Sequence, residues 1–87
     1  MNDNIKTNLK IGDLIFDTSE LGLAAFLKVS GLEIKIMFRK DKKTIFSFKD
    51  TPERKKLVDD YFTGKAKVEP LAFRSTMRDL KNYTFNK

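Results

Sequence analysis

The 87 residues include no cysteine, no histidine and no tryptophan. Without cysteine no disulfide can brace the fold. Without cysteine and histidine the usual ligand sets of structural zinc are missing too. The same two absences remove the commonest general base and the thiol nucleophile. No apolar run approaches the roughly 20 residues that span a bilayer, and the opening MNDNIKTNLK lacks the basic-then-apolar order of a secretory signal. There is no internal repeat, linker or low-complexity tract. A chain this short forms one domain and buries only about 60–65% of its unfolded surface. The expectation is a soluble, cytoplasmic protein with a flexible start over residues 1–8 and a single small domain over residues 9–87.

Positive charge is what the chain has in excess, and it is unevenly placed. The formal net charge is +6. Residues 1–20 carry −2, residues 21–49 carry +5, residues 50–69 are neutral and residues 70–87 carry +3. Localised positive charge favours an anionic partner and says nothing about fold.

The element pattern is legible along the chain. LKIGDLIF, residues 9–16, has the β-branched and aromatic content of a short strand. DTSE then reads as a helix start, with Asp17 or Thr18 as N-cap and Glu20 in the first turn. ELGLAAFLKVSG is apolar almost all round, so it forms a helix buried on more than one side, with Gly22 marking close packing and Gly31 the C-terminal stop. Strict alternation follows. Leu32, Ile34, Ile36 and Phe38 share one face with Thr44, Phe46 and Phe48 across a hairpin, and Lys35, Met37 and Arg39 share the other with Lys43, Ile45, Ser47 and Lys49. Keeping the apolar sets together requires an odd loop, most simply Lys40-Asp41-Lys42. DTPER starts a second helix with the stripe Leu57, Val58, Tyr61 and Phe62, ended by Gly64. Pro70 opens a third, lined by Phe73, Met77 and Leu80. The order β-α-β-β-α-α predicts an α+β domain: an antiparallel, hairpin-containing sheet with helices on one face and the other face uncovered.

In sequence order, FDTSELGLAAFLKVSGL, the hairpin ending IFSFKD and LVDDYFTGKAKVEPLAFRSTMRDLK resemble a family of short uncharacterised domains carried by bacteria, phages and mobile elements. The likeness covers about residues 14 to 82, and its markers (Ala24, Ala25, Leu27, Gly31, Phe46, Phe48, Tyr61, Gly64) are mostly core positions. It implies a fold and a phage or mobile-element setting, and lends no catalytic residues.

Catalysis finds little support. The serines have no evident base partner, the four glycines are too scattered to cradle a phosphate, and the adjacent Asp59 and Asp60 point about 100° apart on a helix. Glu33-Ile34-Lys35 with Asp13 or Asp17 echoes a metal-dependent nuclease strand, but such a triplet is expected by chance in so charged a chain. No enzyme, metal site or cofactor is expected. The hairpin carries the sharper signal: Lys35, Arg39, Lys40, Lys42, Lys43 and Lys49, with Arg39 facing Lys43 in the expected register. Arg74, Arg78 and Lys81 on the third helix form a second basic element. Lysines also guard exposed sheet edges. The leading expectation is electrostatic, weakly sequence-specific nucleic-acid binding, to DNA rather than RNA. The alternative is a protein-interaction module, such as a homodimer or a modulator of a host or phage protein, centred on Met37 and Ile45 of the uncovered face. The phenylalanines are expected to point inward, leaving no stacking platform for single strands.

Overall fold

A computed structural model describes residues 14–85. The N-terminal segment 1–8, and residues 9–13 of the expected first strand, lie outside the described residues. The element order is β1 (Ile15–Thr18), α1 (Leu21–Val29), β2 (Ile34–Lys40), β3 (Lys43–Lys49), α2 (Arg54–Thr63) and α3 (Pro70–Phe85), the expected β-α-β-β-α-α. The sheet is antiparallel with order β1-β3-β2, so β3 is central.

α1 is the buried helix that its composition demands. Leu23, Ala24, Ala25, Phe26 and Leu27 are buried in succession, packed with Phe46 and Phe48 of β3 and Leu80 of α3. Phe73 and Met77 of α3 and Leu57, Val58 and Tyr61 of α2 complete this core, whereas Phe62 is 65% exposed and leaves the expected stripe. The N-cap of α1 is Glu20, whose carboxylate accepts from the Leu23 N–H, rather than Asp17 or Thr18. Both expected caps are otherwise engaged. Asp17 lies in β1 and accepts from the Ser47 hydroxyl at 2.5 Å, while Thr18 accepts from the Glu20 N–H at 3.1 Å.

Gly22 has a steric reason. A Cβ there would overlap the Tyr61 hydroxyl. That hydroxyl donates to Glu20 Oε1 at 3.3 Å, and the Tyr61 ring lies 5.7 Å from Phe26. Burial, helped by the Glu20 charge and its hydrogen bond, pushes the phenol pKa above its usual value. At the start of α2, Arg54 grips the Asp50 carboxylate with two bonds of 3.0 and 3.1 Å and lies 4.4 Å over the Phe16 ring. The Asp50 N–H donates to the Leu14 carbonyl at 2.7 Å, which ties the β3–α2 corner to the strand beside it.

The hairpin differs from its expected form. The loop is two residues, Asp41 and Lys42, both at positive φ (52° and 70°), so Lys40 pairs with Lys43, Arg39 with Thr44, Phe38 with Ile45 and Met37 with Phe46. Lys35 is then an extra residue: Ile34 pairs with Phe48 but Ile36 with Ser47. This bulge restores the expected register at the base, where the Lys49 N–H donates to the Glu33 carbonyl at 2.9 Å. Between bulge and turn every β2 side chain is on the opposite face from the expected one.

Gly22→Ala in the native background is expected to lower stability by about 1 kcal/mol, because its methyl displaces Tyr61. With Tyr61→Phe already present, the same change gains helix propensity and should stabilise by about 0.5–1 kcal/mol. Urea unfolding of the four-member cycle reads this sign reversal; equal signs would refute the contact. Asp41→Asn with Lys42→Gly, the pair this turn favours, should stabilise by about 0.5–2 kcal/mol and raise Tm without altering the fold. Asp50→Asn should cost about 1–2 kcal/mol. The Arg54 hydrogen bonds, outweighing desolvation, hold the Asp50 pKa below its usual 3.8. Its contribution is therefore complete above about pH 4 and lost as pH falls through the lower folded value. Acid unfolding of Asp50→Asn should lack that part of the slope.

Candidate nucleic-acid interface

The bulge and the short turn decide which side chains the open face presents. From tip to base its rows are Lys40 opposite Lys43, Phe38 opposite Ile45, then Ile36, Ser47 and Asp17 across all three strands, and finally Lys49 opposite Ile15. Ile36 is 54% and Phe38 38% exposed, while Ser47 is buried beneath its neighbours. Met37, the expected centre of this face, instead points inward opposite Phe46 and packs against the core. Ile36 and Phe38 take its place beside Ile45. The expectation that the hairpin phenylalanines all point inward holds for Phe46 and Phe48 and fails for Phe38.

The cations are redistributed by the same shift. Lys40, not Arg39, is the residue facing Lys43. Two like charges held directly opposite repel by a few tenths of a kcal/mol. Lys42 sits in the turn, and Arg39 falls on the helix side opposite Thr44. Lys35 occupies the bulge, 3.5 Å from Glu33 Oε2. Arg39, Lys40, Lys42, Lys43 and Lys49 are exposed and make no ion pair among the described residues.

The C-terminal end of α3 lies against this basic tip. Lys81 and Thr84 line a cleft of about 190 Å³ with Lys43, Thr44 and Phe46. Phe38 and Arg39 line a second of about 150 Å³ with Met37, Thr44, Tyr83 and Thr84. The fold thus brings Lys81 to the hairpin. Arg78 and Arg74 are exposed roughly one and two turns further back, and Arg78 donates to the Ser75 hydroxyl at 3.4 Å. Tyr83 is half-buried against the hairpin, as docking of the chain end requires.

Among the described residues the nuclease-like triplet does not assemble; Asp13 lies outside them. Glu33 and Asp17 belong to opposite sides of β3, Asp17 is bonded to Ser47, and Lys35 leaves the ladder. Among the described residues no group of three acidic side chains is placed to hold a metal ion, and no helix is long and apolar enough to cross a membrane.

Sequence reasoning missed Ile36 and Phe38 as surface residues. The run Ile36-Met37-Phe38 is apolar at every position and fits either face, and the turn and the bulge choose between them.

No curated protein and no solved structure matches the chain. A family profile does match, over residues 13–86, nearly the whole chain. The chain belongs to that family, described as a domain of unknown function (DUF5659).

Proposed function

We propose that this protein is a small, non-catalytic nucleic-acid-binding protein of the cytoplasm, in a phage or mobile-element setting, whose hairpin tip holds a phosphate backbone. Arg39, Lys40, Lys42 and Lys43 make the main contacts, Lys81 joins them from α3, and Lys35, Lys49, Arg74 and Arg78 add to the surrounding field.

The supporting observation is the sheet order. Lysines on an edge strand are explained by protection against unwanted strand pairing. That explanation covers Lys35 and Lys40 of β2. It does not cover Lys49 of the central strand, which is flanked on both sides, by Ile15 and by the Glu33 carbonyl; Lys43 lies beyond the end of β1, where that strand too has an open edge. The Lys40–Lys43 apposition also costs stability that a bound anion would return. Contacts of this kind position a backbone without reading its bases.

Fluorescence anisotropy with labelled DNA and RNA, across a range of salt, tests the reading. Affinity should fall with a log–log salt slope of roughly −3 to −5, the value for four or five phosphate contacts. Arg39→Glu with Lys43→Glu should weaken binding more than tenfold. Lys55→Glu with Lys56→Glu makes the same change in net charge on α2, where both lysines are already paired with Asp59 and Asp60. It should have a much smaller effect. Absence of binding at low salt, or equal losses from both double variants, would overturn the proposal.

A further inference from the structure

We infer that the open face around Phe38 is a platform for unpaired nucleobases, so that the nucleic acid held by the basic tip is single-stranded. This rests on the nucleic-acid reading above and specifies its ligand.

Phe38 and Ile36 are large apolar side chains left in solvent at 38% and 54% exposure, with Ile45 directly across from Phe38. An aromatic ring on an open sheet offers the flat surface on which a base stacks, and stacking tolerates any base. The neighbouring aliphatic side chains extend that surface. Two residues along, about 7 Å away, the Lys40–Lys43 row closes the strip, within a nucleotide's reach from base to phosphate. Among the described residues, the acidic groups near the strip are engaged or lie at its ends. Asp17 accepts from Ser47 at the far side, Glu33 lies beside Lys35, and Asp41 is in the turn beyond the lysines.

The same charges disfavour other occupants. A second copy laid face to face would bring its own Lys40, Lys43 and Lys49 toward these. Duplex DNA, with its bases already stacked and paired, would meet the cations and leave Phe38 unused. An apolar strip bounded by unpaired cations is complementary to a ligand that combines planar apolar faces with regularly spaced anions.

The test compares oligothymidylate, a duplex of equal length and polyphosphate as anisotropy ligands or competitors at moderate salt. Wild type should prefer the single strand to the duplex by about tenfold. Phe38→Ala should lose about tenfold or more on the single strand and little on duplex or polyphosphate. Phe38→Tyr should retain most of the affinity, and circular dichroism checks that both variants are folded. If Arg39→Glu with Lys43→Glu abolishes binding while Phe38→Ala changes nothing, the basic tip stands and the platform is refuted. If nothing binds, both readings fall. A wild-type dimer in sedimentation that Phe38→Glu converts to monomer would assign the face to a protein contact and also refute the platform.

Discussion

One extra residue in β2 determines the surface this protein shows. The two-residue turn sets the pairing at the tip, the buried Leu32 and the half-buried Ile34 set it at the base, and the two settings differ by one. A slip of one residue reverses every side chain of a strand. Without a bulge, either Leu32 and Ile34 would be forced out of the core or Met37 would be lost from it. Placing the mismatch at Lys35 keeps all three inside. The cost is carried by Ile36 and Phe38, which remain outside, and by a lysine displaced from the ladder. Bulges cluster where a strand must re-aim side chains, and here the re-aimed segment is the open face of the sheet.

The open face follows from how little the chain has to bury. With three helices, two seven-residue strands and one of four residues described, there is material for only one core layer. α1 occupies its middle, buried over five consecutive residues and flanked by both other helices. Close approach is bought by small groups: Ala24 and Ala25 are fully buried, and Gly22 leaves room for the Tyr61 hydroxyl. All three helices are committed to this side. Nothing in the described chain is left to cover the other side, so its exposed apolar side chains are a consequence of architecture before they are a clue to function.

Most of the architecture is written in local signals. Gly31 and Gly64, at φ of 108° and 80°, end their helices where left-handed backbone is needed, and the apolar periodicity of α1 and α3 marks their buried faces. The hairpin turn is less legible. A two-residue loop with both residues at positive φ usually carries glycine or asparagine, and Asp41-Lys42 offers neither glycine nor asparagine. Their backbone strain is sustained by the tertiary register, which pairing rules between adjacent residues do not reveal. The N-cap of α1 moved for a comparable reason: Asp17 is recruited by Ser47, thirty residues away in sequence. The basic tip was legible as composition, but its junction with Lys81 depends on sheet order and the path of α3. Phe62, outside the α2 stripe, shows that a local period marks a face without fixing how wide that face is.

The open face is graded from one end to the other. At the β1 side, Ser47 is 3% exposed and hydrogen-bonded to Asp17, so the middle row is polar and internally satisfied there. Its Ser47 and Asp17 separate Ile15 from the strip formed by Ile36, Phe38 and Ile45. β1 ends opposite Phe46, so the tip-side rows are flanked by only two strands. With Ile36 and Lys49 in the three-stranded part, the exposed aromatic, Ile45 and the tip cations Arg39, Lys40, Lys42 and Lys43 therefore fall in the two-stranded part of the sheet. This is also its most accessible part, because a two-stranded ribbon projecting past the third strand can be approached from its face and from both edges. A functional surface on this fold is best placed there, since changes at the ribbon leave the three-stranded section and α1 undisturbed.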